Sequence, residues 1–152
     1  MKKEILKPRK TGKERKRKYK ISVEKRIKKY IKDGGEDNLD LYKTPVEKLP
    51  DNLQVGGYLN LMRTPIEELP DNLKVGSGLY LTSTPIKKLP DSLKVSGHLS
   101  LKDTSIKELP DNLQVGVSLD LRNTPLSKKY SEEEIRNMIE EKGGYVKGYI
   151  LT

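Results

Sequence analysis

Four aspartates recur at a spacing of twenty residues, a regularity that raises the question of a metal site: Asp51, Asp71, Asp91 and Asp111. Carboxylate oxygens that line up in a column are ligands that Ca²⁺ prefers in proteins. Each aspartate, however, follows a proline and precedes Asn or Ser. That combination is typical of turns, because proline presets a bend and the Asp and Asn side chains bond the local backbone. The spacing therefore predicts turns, and we expect no metal ion and no cofactor.

His98, Ser100 and Asp120 have the residue types of a hydrolytic Ser-His-Asp triad. Such a triad needs the histidine between the nucleophile and the acid. On the strands predicted below, Ser100 would lie between His98 and Asp120, so the order does not fit the chemistry. The sequence also contains no cysteine and no Gly-rich phosphate-binding loop. We therefore expect a protein that is not an enzyme.

The positive charge of the chain is concentrated at its N-terminus. Residues 1–33 carry 16 Lys and Arg against 4 Asp and Glu, a net of +12, whereas the remainder carries 15 against 18, a net of −3. Such a density of cations predicts non-specific contacts with the phosphates of RNA or DNA. The predicted nucleic-acid-binding residues are Arg9, Lys10, Lys13, Arg15, Lys16, Arg17, Lys18 and Lys20. An acidic protein or lipid surface, or a tail that only solubilises the chain, are the alternatives.

A unit of twenty residues organises the chain between residues 39 and 126. Its copies begin at Leu39, Leu59, Leu79, Leu99 and Leu119, and the last is partial. A fixed period of this length is the signature of a solenoid. The opening L-x-L alternates apolar and polar residues, which predicts a short strand with one buried face. Two prolines in most units exclude a long helix on the return path, which is predicted to be extended or a tight 3₁₀ turn.

The run L-x-L-x-x-T-P-I-x-x-L-P-D-N-L-x-V resembles the leucine-rich repeat, and the Leu-Pro step with its short period is similar to the bacterial-type subclass. The resemblance departs from the family where threonine replaces the ladder asparagine, at Thr44, Thr64, Thr84, Thr104 and Thr124. A threonine hydroxyl can still satisfy a neighbouring backbone group, with fewer donors than an amide. The family implies an α+β solenoid with a parallel sheet on its concave face and an extended or 3₁₀ convex side. It also implies binding rather than catalysis.

The repeat units differ from one another in residue type at the outward-facing positions of the predicted strands, whereas the residues at the buried positions are almost identical. Divergence on a fixed skeleton is what a binding surface would show, and tyrosine is favoured at interfaces because it is amphipathic and stiff. The predicted protein-binding residues of the concave face are Tyr42, Tyr58, Asn60, Met62, Tyr80, His98, Lys102 and Arg122. The alternative is that exposed positions simply tolerate any residue.

The two ends of the repeat carry caps in this prediction. Residues 1–20 read as a basic extended tail, and residues 21–37 as a capping helix with Ser22 as its N-cap and Gly34-Gly35 as its stop. The helix presents Val23, Ile27, Tyr30 and Ile31 on one face, at helical spacing. Residues 38–126 form the repeats with five strands. Residues 127–152 form a C-terminal helix and strand cap, with a capping box at Ser131 and Glu134.

Together these features predict a non-enzymatic adaptor whose repeat sheet binds a protein and whose basic N-terminus binds nucleic acid or another polyanion. Two alternatives stay open: a structural component of a large particle, such as a phage virion or a ribonucleoprotein, with a threading N-terminal extension, and a small inhibitor or effector that blocks a host protein through the concave face. No run of eighteen apolar residues and no apolar signal-peptide core is present. We therefore expect no membrane partner, and a place in the cytoplasm or within such a particle.

Overall fold

Each repeat unit contributes one two-residue strand to each of two parallel sheets, so the chain winds as a solenoid whose complete turns we call rungs. The computed structural model describes residues 11–152. The six-stranded sheet contains β1 (Leu39–Asp40), β3 (Leu59–Asn60), β5 (Leu79–Tyr80), β7 (Leu99–Ser100), β9 (Leu119–Asp120) and β11 (Ile150–Leu151). The five-stranded sheet contains β2 (Gln54–Val55), β4 (Lys74–Val75), β6 (Lys94–Val95), β8 (Gln114–Val115) and β10 (Tyr145–Val146). The helices are α1 (Gly12–Lys32) and α2 (Glu132–Glu141).

The register of both sheets follows the repeat. Leu39 pairs with Leu59, and Val55 pairs with Val75, so equivalent residues stack directly. The predicted solenoid with a parallel sheet is therefore confirmed. The second sheet was not predicted, although Leu-x-Val before each turn has the same apolar and polar alternation as Leu-x-Leu.

The core of the solenoid is a column of aliphatic side chains. Leu61, Leu81 and Leu101 are completely buried, as L-x-L alternation predicts, and the isoleucines after the Thr-Pro or Thr-Ser step are equally buried. The turns predicted at Pro-Asp-Asn are present, and Asn52 and Asn72 lie there in the left-handed region with φ of 57° and 58°. Asparagine suits this position because its short polar side chain tolerates positive φ.

Five threonines recur at a spacing of twenty residues, and each closes a turn within its own rung. Each buried Oγ1 donates to the carbonyl of the leucine three residues earlier, at 2.6 to 2.8 Å. The expectation that the hydroxyl satisfies a backbone group is confirmed. These bonds hold the chain where it leaves the six-stranded sheet.

Helix α1 begins earlier than the sequence analysis predicts, and residues 12–20 are helical rather than extended. Thr11 is the N-cap, and its side chain and that of Glu14 form a reciprocal capping box. The predicted N-cap Ser22 is therefore wrong. Gly12 does not break the helix because it occupies the first turn, where backbone N–H groups lack intrahelical partners in any case. Residues 1–10 lie outside the described part.

The C-terminal cap is a sixth rung with a helix inserted in it. Ile150 pairs with Leu119, thirty-one residues earlier, whereas Leu59 pairs with Leu39 at a distance of twenty. Helix α2 takes up the additional residues, and Ile135 and Ile139 on its inner face are buried in the core. The capping box of Ser131 and Glu134 is confirmed. The predicted strand cap is confirmed, and it consists of two strands, because this segment supplies β10 to one sheet and β11 to the other.

Helix α2 also occupies backbone groups that a further rung would otherwise take. In the inner rungs, the carbonyls of Val55 and Gly57 accept hydrogen bonds from the next rung, and the N–H of Leu59 donates to it. A rung at the end of a solenoid leaves these groups without a backbone partner.

In the sixth rung, two side chains of α2 occupy those positions. Arg136 donates Nη1 to the carbonyl of Val146 and Nη2 to that of Gly148, both at 2.8 Å. The N–H of Ile150 donates to Glu132 Oε1 at 3.4 Å, and Glu132 in turn pairs with Arg136 at 3.2 Å. We call these two residues the terminal cap pair. They bond the three backbone groups that, in the inner rungs, bond the backbone of the next rung.

Within residues 11–152, neither helix is long and apolar enough to cross a lipid bilayer.

Candidate functional site

The basic helix α1 is fixed to the first rung by its C-terminal half. Val23 and Ile27 are buried in the solenoid core. The Tyr30 hydroxyl lies 2.6 Å from the carbonyl oxygens of both Gly35 and Asp37, which share its single proton, and burial raises the pKa of that hydroxyl. These contacts hold the helix firmly where it leaves the solenoid.

The N-terminal half of α1 extends away from the solenoid, and we call it the basic arm, residues 11–22. Every residue of the basic arm is exposed. Lys20 of the arm forms a salt bridge with Glu47 of the body, at 2.8 Å, and the hydrogen bond to Glu47 raises the pKa of the Lys20 ammonium. Six of the predicted nucleic-acid-binding residues lie on the arm: Lys13, Arg15, Lys16, Arg17, Lys18 and Lys20. The predicted Arg9 and Lys10 lie outside the described residues.

The cations of α1 continue beyond the residues predicted from the sequence. The helix holds eleven Lys and Arg and two Glu over its twenty-one residues. The additional exposed cations are Lys25, Arg26, Lys28, Lys29 and Lys32. Their signal was present in the sequence, since they share the helical segment whose apolar face was recognised. Lys29 forms a salt bridge with Asp33.

The second candidate site is the outer surface of the six-stranded sheet, which we call the sheet face. Tyr58 and Tyr80 meet there edge to face, with ring centroids 6.1 Å apart and planes at 68°. The ring of Tyr80 lies across Gly78, so closely that a Cβ added to Gly78 would come within 2.6 Å of the Tyr80 hydroxyl. An aromatic pair of this geometry is a preferred arrangement, since the positive edge of one ring meets the negative face of the other.

Three polar residues of the sheet face have a structural role. The side-chain oxygens of Asp40, Asn60 and Asp120 each accept a hydrogen bond from the backbone N–H two residues later, at 2.9 to 3.1 Å. Asn60, predicted to bind a protein, therefore fixes the turn that follows its own strand. A polar side chain at this position bonds its local backbone in the manner of an Asx turn.

The other predicted residues of the sheet face do not form one cluster. Tyr42 is exposed and has Lys43 over its ring at 5.0 Å. Arg122 binds Asp120, with 2.7 Å between Nη2 and Oδ2. Although burial opposes ionisation of Asp120, hydrogen bonds from Arg122 outweigh it and lower the pKa of the carboxyl. Met62 and Lys102 are half-buried.

The sixth rung adds Tyr149 and Leu151 to the sheet face. In the six-stranded sheet, Leu151 pairs with Asp120, so the exposed Tyr149 lies next to Ser118. The repeat period could not have placed them, because the α2 insertion breaks it.

His98, Ser100 and Asp120 do not form a triad in the structure. His98 Nδ1 contacts Ser118 Oγ at 2.6 Å, whereas Ser100 contacts Thr82 at 2.9 Å and Asp120 binds Arg122. A Ser-His contact needs a third group that orients the imidazole before it can activate the serine. Within residues 11–152, His98 donates no hydrogen bond to a carboxylate. The contact therefore reads as packing between two rungs.

The repeated aspartates remain turn residues in the structure. Asp51, Asp71 and Asp91 are exposed, and Asp91 accepts a hydrogen bond from the backbone N–H of Asp111 at 3.1 Å. In the described part of the chain, no group of three or more His, Asp or Glu residues is close enough to hold a metal ion.

No protein-family model, curated protein or solved structure matches this chain. The resemblance to the leucine-rich repeat therefore stays a prediction from the sequence. The candidate sites rest on the residues of this chain alone.

Proposed function

We propose that this chain is a binding protein that performs no chemistry and connects a polyanion, above all nucleic acid, to a protein partner. The observation that carries the proposal is the basic arm, which holds a dense set of cations in full exposure on a firmly anchored helix. Phosphate contacts by Lys and Arg release condensed counterions, and this release supplies the affinity of non-specific nucleic-acid binding. The remainder of the chain, with its net charge of −3, would not compete for the same ligand.

The sheet face is the surface that we propose for the protein partner. Its support is the edge-to-face pair of Tyr58 and Tyr80, together with the exposed Tyr42 and Tyr149 at other places on the same face. Rigid aromatic side chains bury much surface at little entropic cost and are common anchors of interfaces. The leucine-rich repeat that the sequence resembles is also a family of binding scaffolds.

The two alternative functions would use these surfaces differently. A component of a particle would thread its N-terminal extension between neighbours, and the helical conformation of residues 12–20 favours a rigid arm instead. An inhibitor or effector that acts only through the sheet face would not need the cations of α1. The experiment below separates that case from the adaptor.

The experiment reverses the same amount of charge at two places on the full chain. In the arm variant Lys16, Arg17 and Lys18 become Glu, and in the control variant Lys48, Lys87 and Lys107, which are exposed on the solenoid, become Glu. Fluorescence anisotropy with a labelled DNA oligonucleotide should show the affinity of the arm variant falling at least about tenfold, because three phosphate contacts are lost. The control variant should change by less than about threefold. Equal losses in both variants, or no loss in either, would contradict the proposal.

A further inference from the structure

We propose that helix α1 binds B-form duplex DNA by lying in the major groove, an inference that rests on the polyanion binding proposed above. The choice of a duplex follows from how the cations are arranged around the helix, from the dimensions of the basic arm, and from its composition.

The cations of α1 form two rows on opposite flanks of the helix. Lys13, Arg17 and Lys20 follow one another at intervals of four and three residues, which places them on one flank at 3.6 residues per turn. Arg15 and Lys18 lie on the opposite flank, in line with Arg26 two turns further on. A flat anionic surface would engage one such row. Two rows suit a ligand with phosphates on both sides of the helix.

The B-DNA major groove has those two walls and the right width. The groove is about 12 Å wide, and an α-helix with its side chains is about 10–12 Å across. The exposed helical part of the arm, residues 12–22, is about 16 Å long at the helical rise, which covers about five base pairs. Because Val23 and Ile27 anchor the helix, the arm would enter the groove without first having to fold.

Other nucleic acids fit the arm less well. The major groove of A-form RNA is deep and narrow, and side chains do not read it. Single strands are held by several aromatic side chains on which bases stack, and the arm offers Tyr19 alone, which is exposed. Tyr19 lies on the side of α1 that carries Val23 and Ile27 into the solenoid. The opposite side, which holds Glu14 and Ile21 between the two rows of cations, would therefore face the base edges in the groove.

The test compares three ligands with equal numbers of phosphates: duplex DNA, duplex RNA and single-stranded DNA. With the full chain, anisotropy titrations should give duplex DNA an affinity at least about tenfold above the other two. Five phosphate contacts predict a slope of log K against log salt of about −4.5 on duplex DNA. Methyl green, which occupies the major groove, should displace the chain, whereas the minor-groove ligand netropsin should not.

Two charge reversals test the two rows separately. Lys13→Glu with Arg17→Glu, and Arg15→Glu with Lys18→Glu, should each reduce duplex DNA affinity at least about tenfold while circular dichroism shows an unchanged fold. The matched control, Lys87→Glu with Lys107→Glu, should change it by less than about threefold. Equal affinity for the three ligands would overturn groove binding and leave polyanion binding standing. Loss of binding to all of them in the wild-type chain would overturn both.

Discussion

Gly78 illustrates how a single residue without a side chain shapes the sheet face. The phenol of Tyr80 occupies the space that a Cβ at Gly78 would need, and it reaches Tyr58 from there. The contact that a Cβ would make is with the far end of the flexible Tyr80 side chain, so the ring can move aside without disturbing the backbone. The position therefore offers a way to change the aromatic pair and leave the rungs intact.

Gly78→Ala should separate the two rings without unfolding the solenoid. We expect ring-to-ring nuclear Overhauser effects between Tyr58 and Tyr80 to disappear, while the free energy of unfolding changes by less than about 1 kcal/mol, since the displaced side chain is partly exposed. Thr82→Ala on the same face is the control and should preserve the effects. Rings still in contact in the alanine variant would contradict the packing described here. If the sheet face binds a protein, Gly78→Ala and Tyr80→Ala should weaken capture of the same partner.

At the scale of the element, α2 covers the outer edge of the sixth rung. Its inner face fills the core of the sixth rung, and its terminal cap pair takes the backbone groups that point outward from that rung. Hydrogen bonds from Ser131 lower the pKa of Glu134, so the capping box that starts the helix is complete at neutral pH. An unprotected strand edge would invite pairing with another chain.

Arg136→Ala should therefore weaken the fold and expose the edge. We expect the free energy of unfolding in urea to fall by about 1–3 kcal/mol, since two charge-assisted hydrogen bonds to carbonyls are lost. Sedimentation velocity should also show stronger self-association than the wild-type chain at the same concentration.

Arg122→Ala is the matched control, because Arg122 is an exposed arginine whose carboxylate partner, Asp120, lies two residues earlier in the chain. It should change stability by less than about 1 kcal/mol and leave the association state unchanged. Equal effects of the two substitutions would show that Arg136 does not protect the edge.

At the scale of the whole molecule, the rungs are interchangeable because every interface between the inner rungs repeats the same register. Leu59 pairs with Leu79 as Leu79 pairs with Leu99, and the second sheet keeps the same offset. In such an array, stability is close to a sum of equal rung and interface contributions. The solenoid can therefore be lengthened or shortened only by whole units of twenty residues.

Deletion of residues 79–98 should give a chain one rung shorter that still unfolds cooperatively. We expect a lower urea m-value, because less surface is exposed on unfolding. Deletion of residues 79–97, one residue fewer, should abolish the cooperative transition, since a slip of one residue turns the apolar side chains of the strand to solvent. Circular dichroism during urea titration measures both. Similar unfolding curves for the two deletions would contradict this account.

Much of the fold could be predicted from the sequence, and the sequence also contains the signal for the helix start that was predicted wrongly. Thr11 and Glu14 have the T-x-x-E spacing of a capping box, which indicates a helix start at this point. Pro8, Gly12 and the density of like charge indicate instead that this segment is not helical. The candidate sites were predictable only as sets of residues. Asn60 and His98 share a face with Tyr58 and Tyr80, yet their hydrogen bonds assign them to the turn and to the neighbouring rung.

The amino-acid sequence by itself determined the solenoid, because identical units with one apolar face can bury it only by stacking in register. It likewise determined that the positive charge is concentrated in residues 1–33, since the order of charged residues along the chain does not depend on folding. The tertiary structure alone decided that the last segment forms a sixth rung, that Arg136 and Glu132 close its edge, and that Tyr80 lies over Gly78. The first two join segments whose spacing follows no repeat, so they are set by the packing of the whole core. The third is the choice of one side-chain orientation on the sheet face, which the repeat pattern does not specify.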